Sequence, residues 1–205
     1  MNWKEFLNNK KNRNEFFISL FLLAIALTAL ANFGNFTETR TGVVLQDPLL
    51  NLYNPIDLTW LIFGLIYISL IVAIVSLLKN PKQLLFAMQL YALMVVVRIS
   101  AMYLLPLEPP AKIIILNDPF VEFFGSGKSL TKDLFFSGHT ASLFVLFLTA
   151  KQKTIKIIFL VCTIVVAISV LLQHVHYTID VFAALFFTFA CYKILKNFKL
   201  GENLK

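Results

Sequence analysis

The chain has 205 residues, of which 59% are hydrophobic and only 14% charged, and its mean hydropathy is +0.79. A soluble domain has about 45–50% apolar and about 25% charged residues, so an ordinary soluble fold is excluded. The net charge of +7 would suit a nucleic-acid partner only if the basic residues clustered on one face, and their placement in the connections argues otherwise.

In chain order, six apolar segments approach the ~20 residues needed to cross a hydrocarbon core. They cover approximately 16–34, 57–78, 83–105, 135–150, 155–173 and 177–196. The runs are continuous rather than alternating, which predicts helices and not barrel strands. The expected fold class is all-α: a polytopic membrane bundle of six transmembrane helices, forming one domain over 1–205. The first segment follows Lys4, Lys10, Lys11 and Arg13 and ends near Ala29-Leu30-Ala31, which looks like a signal-peptidase site; its length predicts a retained helix. The fourth segment is short and is expected to extend into its polar start. Cys162 and Cys191 lie inside apolar segments and read as small buried residues.

Lys and Arg in the connections set the orientation. Thirteen fall on one side: Lys4, Lys10, Lys11, Arg13, Lys79, Lys82, Lys151, Lys153, Lys156, Lys193, Lys196, Lys199 and Lys205. Four fall on the other: Arg40, Lys112, Lys128 and Lys132, with Arg98 inside a segment. Both termini are therefore expected to be cytoplasmic, and the positive charge is explained by topology, with no nucleic-acid partner. The longest connection, roughly 106–134, is external and contains LPLEPPAKIIIL and PFVEFF, too apolar for a free loop. It is expected to lie in the interface or fold back over the bundle.

Ionisable groups at membrane depth are costly, about 2.5–3.5 kcal/mol at a helix centre, and are functional candidates by default. Arg98 lies near the external end of the third segment, His139 opens the fourth, His174 and His176 precede the sixth, and Asp180 lies one turn inside it. On the expected topology these converge at one depth on the external side. His176 and Asp180 are i and i+4 and share a face, so the carboxylate can fix one imidazole nitrogen and free the other as nucleophile or base. Ser137 and Gly138 before His139 suit a helix start, whose free N–H groups favour an anion. Arg98 offers a guanidinium fork for phosphate. This set suits phosphoryl transfer on a lipid headgroup. His176 would attack phosphorus, Asp180 would orient it, and His139 would protonate the departing alkoxide and then act as base. Arg98 and the N–H groups of 137–140 would hold the phosphate oxygens.

The stretches DLFFSGHT (133–140) and HVHYTIDV (174–181) resemble the two catalytic motifs of the sphingomyelin synthase family, within the type 2 phosphatidic acid phosphatase superfamily. RISAMYLLPLEPP (98–110) resembles that family's third-helix motif. The likeness covers approximately 95–185, with the motifs within 98–185. It implies six helices, an external site and a catalytic triad of His139, His176 and Asp180, with His176 as nucleophile. It also implies chemistry without metal or cofactor. The implied activity moves a phospho-headgroup from a glycerophospholipid donor to a lipid alcohol, ceramide-like or diacylglycerol, and releases diacylglycerol. The chain departs from the pattern at Glu108, where the family keeps an apolar residue, and at Val170, where the wider superfamily has an arginine.

Other readings stay open. Lipid phosphatase or phospholipase C-like hydrolysis would use the same residues. A non-enzymatic transporter or lipid carrier would leave the convergence of His, Asp and Arg unexplained. Asp133 is either a substrate-side residue or a solvated loop acid, and His174 either touches substrate or sits at the interface. His174, His176 and Asp180 could also bind a divalent ion, although i, i+2 spacing does not put two histidines on one helix face. GSGKS (125–129) is similar to a phosphate-binding loop but lacks the first glycine, Glu122 standing there, and the preceding strand; it is expected to act at most as a lid. The small size and the Lys-, Asn-, Ile- and Phe-rich composition lean toward a bacterial inner membrane.

Overall fold

A computed structural model describes residues 2–118 and 130–202. PFVEFF (119–124) and GSGKS (125–129) lie outside the described residues, and with them the expected lid. Among the described residues there are seven α-helices and no strand: α1 (Trp3–Asn8), α2 (Lys10–Thr39), α3 (Thr59–Leu77), α4 (Pro81–Leu104), α5 (Gly138–Thr149), α6 (Lys153–Leu172) and α7 (Thr178–Glu202). The all-helical expectation holds.

Five helices, α2, α3, α4, α6 and α7, are long and apolar enough to cross a membrane. They are apolar around most of their circumference, and Phe21, Trp60, Ile71, Val161 and Phe186 are exposed on the outside of the bundle. An outer surface of that kind suits lipid rather than water.

The fourth expected span differs. Instead of a helix over 135–150 that extends toward its polar start, α5 has 12 residues, about 18 Å at 1.5 Å per residue. The reason lies in the preceding chain. The carbonyls of Asp133 and Phe136 accept from the Arg98 guanidinium, and the N–H groups of Thr131 and Lys132 donate to Glu38. Residues 131–136 therefore wrap around fixed partners and are not free to extend the helix. The short helix is central: α3, α4, α6 and α7 all pack on it.

Two apolar cores flank α5. One joins Leu90 and Met94 of α4 to Ala141 and Val145 of α5 and Ala184 of α7. The other joins Ile62 of α3 to Leu143 of α5 and Val166 and Val170 of α6. Each of these residues is at most 1% exposed, so α5 is gripped from both sides and its N-terminus has a fixed place. Cys191 is buried and Cys162 half-buried, both as free thiols.

The long connection does fold back where it is described. Val43 and Leu107 form an isolated parallel bridge. Gly42 sits so close to this crossing that a Cβ there would lie 2.5 Å from the Leu107 carbonyl carbon. Ile114 exchanges backbone and side-chain hydrogen bonds with the buried Gln173. Gln173 also accepts from Leu58 N–H and donates to Thr59, so one amide joins the ends of α3 and α6 to the loop. Glu108 accepts from Gly42 N–H and Lys132 Nζ, so this acid ties the two ends of the α4–α5 connection to the α2–α3 connection.

Candidate active site

Three helix ends meet at one end of the bundle: the C-terminal part of α4 and the starts of α5 and α7. Ser137 is the N-cap of α5, its Oγ accepting from Thr140 N–H at 3.4 Å. Ser137 N–H donates to the Asp180 carbonyl at 3.1 Å, which couples the start of α5 to α7. The expected helix start at 137–138 is present. Of the four N–H groups in the 137–140 turn, that of Ser137 is used by Asp180 and that of Thr140 by Ser137 Oγ. Those of Gly138 and His139 have no bond among the described residues and are the ones available to an anion.

His139 and His176 face each other, with ring centroids 5.9 Å apart and planes at 62°. His176 Nδ1 lies 3.4 Å from Asp180 Oδ2, long for a hydrogen bond and of a kind that shortens when a substrate is bound. Asp180 Oδ2 is itself held by Tyr177 N–H at 2.9 Å. This is the third-position acid of a helix accepting from the N-cap backbone, so the same bond that starts α7 also places the carboxylate. His176 Nε2 is buried and has no partner, as is His139 Nδ1. An imidazole anchored at Nδ1 and free at Nε2 is arranged for nucleophilic attack. The edge of the Phe63 ring, 5.8 Å from His139, closes one side of the pair.

Arg98 is only 4% exposed. Its Nε donates to Phe136 O at 2.7 Å, and its Nη2 pairs with Asp133 Oδ1 at 2.9 Å. Burial raises the Asp133 carboxyl, but the charge of Arg98 and its hydrogen bond outweigh this and hold the group below its ordinary value. Asp133 is thus tied to Arg98 as its ion-pair partner. The guanidinium lies against Gly138, where a Cβ would come within 2.9 Å of Cζ. Six of the expected site residues, Arg98, Asp133, Ser137, Gly138, His139 and His176, therefore form one connected group with Asp180 behind it.

His174 does not join them. It lies in the turn before α7 with φ 56°, a left-handed conformation sparsely used by residues other than glycine. Its ring meets the edge of Tyr53 at 5.2 Å. It lines a hollow of about 420 Å³ with Asp47, Lys112 and Tyr177, and none of the catalytic candidates lines that hollow. Burial holds its imidazole below the ordinary value, helped by Lys112. Among the described residues no three His, Cys, Asp or Glu side chains are gathered as for a metal ion.

Asp47 belongs to none of the sequence motifs, yet its carboxylate accepts from Thr178 N–H at 2.6 Å and Thr178 Oγ1 at 3.1 Å. It caps α7 from the connection between α2 and α3. Next to it, Tyr177 OH accepts from Leu45 N–H and donates to Glu108 O. The two residues after His176 are thus gripped by distant segments, a relationship that helical spacing cannot reveal.

Residues 132–198 match the family model for the PAP2 superfamily C-terminal domain. The match supports the type 2 phosphatidic acid phosphatase superfamily for this third of the chain. It includes His139, His176 and Asp180 and stops short of Arg98. It points to phosphatase or phosphotransferase chemistry on lipids, and with the apolar helices it points to an integral membrane protein. Neither the curated proteins nor the solved structures contain a match.

Proposed function

We propose that the protein is a membrane-embedded lipid phosphotransferase of the sphingomyelin-synthase type, working without a metal. The observation that carries this reading is the facing pair His139 and His176, with Asp180 on Nδ1 of one and Arg98 against the turn that presents the other. His176 Nε2 attacks the headgroup phosphorus, and the P–O bond to the diacylglycerol oxygen breaks. His139 gives that oxygen its proton, leaving diacylglycerol and a phosphohistidine. An acceptor lipid hydroxyl then loses its proton to His139 and attacks phosphorus, and the N–P bond breaks. Asp180 balances the charge that develops on His176. Arg98 and the free N–H groups of Gly138 and His139 hold the phosphate oxygens.

In this reading the chain is one membrane domain over 1–205, and α5 completes a six-helix arrangement. Thirteen basic residues against four support cytoplasmic termini and a site on the external face, and the small size and Lys-, Asn-, Ile- and Phe-rich composition lean toward a bacterial inner membrane. A second reading, hydrolysis, is favoured by one observation: Asp133 beside Arg98 is 28% exposed, so water reaches an edge of the site.

The test is a product assay with purified protein in EDTA. Labelled phosphatidate, phosphatidylethanolamine and phosphatidylcholine are supplied with and without ceramide, beside His176→Ala. Diacylglycerol with a new phospholipid, both dependent on His176, is the expected result. Diacylglycerol with free phosphate or phospho-alcohol would select hydrolysis. No product that depends on His176 would overturn both readings and favour a lipid carrier.

A further inference from the structure

A second site lies away from the histidines, between α2 and α4. The two helices together line a hollow of about 760 Å³. Its walls are Ile18, Leu22 and Ile25 on α2 and Leu93, Val96 and Ile99 on α4, and Ala29 and Ala92 add only methyl groups to the lining. From Ile18 to Ala29 the apolar wall runs about 17 Å along the helix at 1.5 Å per residue. That is about half of a ~30 Å hydrocarbon core, the depth of a single leaflet.

The polar end has the opposite character. Glu15, Gln89 and Lys11 line both this hollow and an adjoining one of about 380 Å³, which adds Lys82, Lys199 and Asn12. Glu15 is engaged: it pairs with Lys199 and accepts from Gln89 Nε2 at 3.0 Å. Gln89 Nε2 also donates to the buried Ser19. The mouth therefore holds three lysines against one carboxylate that is already matched. Lys11 and Lys82 are exposed and have no ion pair among the described residues. An apolar trough one leaflet deep that ends in uncompensated ammonium groups is complementary to an amphiphile with a negative head. Basic pockets between helices at the cytoplasmic surface hold anionic phospholipids by this combination of charge and burial.

We propose that the α2–α4 groove binds an anionic phospholipid of the adjacent leaflet, one acyl chain lying against Ala29 and Ala92 and the phosphate between Lys11 and Lys82. The site is separate from the catalytic group and does not depend on the proposed reaction. At the other end of the bundle the headgroup meets histidines and an arginine, whereas the residues lining this mouth include lysines and no histidine, so this lipid is held and not cut.

The test is thermal unfolding of the full chain in a neutral detergent, titrated with phosphatidylglycerol or with phosphatidylcholine. At a hundredfold excess over Kd, phosphatidylglycerol should raise Tm by about 5–10 °C, and phosphatidylcholine by much less. The double charge reversal Lys11→Glu/Lys82→Glu should abolish the difference between the two lipids. Ala29→Phe, at an exposed position, should fill the trough and weaken binding with both lysines intact. His176→Ala should keep the full shift, which separates this site from lipid in the catalytic group. Equal shifts with the two lipids, or a shift untouched by charge reversal, would overturn the proposal. So would a concentration-dependent dimer broken by Ala29→Phe, which would give the groove to a second copy of the chain.

Discussion

The guanidinium of Arg98 occupies the space that a side chain at position 138 would need: a Cβ on Gly138 would stand 2.9 Å from Cζ and 3.1 Å from Nη2. The helix that presents His139 can begin where it does only because Gly138 has no side chain. Arg98 has little freedom to retreat, since its Nε and Nη2 are bound to Phe136 O and Asp133. Gly138→Ala should therefore move the guanidinium by several tenths of an ångström and slow turnover, with the bundle still folded. One lost electrostatic contact of this kind costs about 10²–10³ in rate, and a displaced one should cost about tenfold or more. The rate of the purified variant, beside its melting curve, checks this.

Arg98→Lys should be nearly as damaging as Arg98→Ala. A lysine has one ammonium on a flexible stem and cannot bond Phe136 O and Asp133 while presenting a planar edge to phosphate. We expect a loss of about tenfold to a hundredfold in kcat/KM for the lysine variant, measured on whichever lipid proves to be the substrate.

Asp47 should act on the site through α7. Its carboxylate caps Thr178, two residues after His176, from more than a hundred positions away in the chain. Asp47→Ala should remove about 1 kcal/mol of helix-start stability and lower kcat more than it changes KM. Asp47→Asn keeps an acceptor oxygen and should restore much of the rate. A variant that loses only stability, with kcat per folded molecule unchanged, would show that the cap holds the helix without placing His176.

The same two carboxyls give a sign for pH. Burial raises Asp47, but hydrogen bonds from Thr178 and the turn outweigh it, so Asp47, like Asp133, is held below the ordinary 3.8. A group depressed in the folded state contributes stability that is fully present above its unfolded value and is lost as pH falls through the folded value. Stability from these two groups should be flat above about pH 5 and decline below 3.8. Melting curves of Asp47→Asn against the parent should show a smaller acid decline in the variant.

How much of this was legible in the sequence follows from the range of each interaction. His176 and Asp180 are four apart in a helical start, and that spacing carries to the structure. Arg98, His139 and His176 converge because alternating helices bring their ends to one side. His174 stands apart from His176 for a local reason: residue 174 turns left-handed, so a separation by two says nothing about a shared direction. The late start of α5 and the cap from Asp47 are tertiary facts. The Asp133 and Phe136 carbonyls had to be seen turning to Arg98, and the 45–47 segment had to be seen crossing the start of α7. Glu108, which looked out of place in an apolar motif, is explained the same way, by Gly42 and Lys132.

If the proposed reaction runs through His176, that residue becomes covalently phosphorylated during turnover. The most direct measurement is a rapid acid-free quench of the protein with a substrate lipid carrying ³²P in its headgroup, followed by detection of label on the protein. The label should be stable to alkali, released by acid, present in the parent chain and absent from His176→Ala. Turnover of the same lipid with no trapped label at any time, or label that persists in His176→Ala, would contradict it.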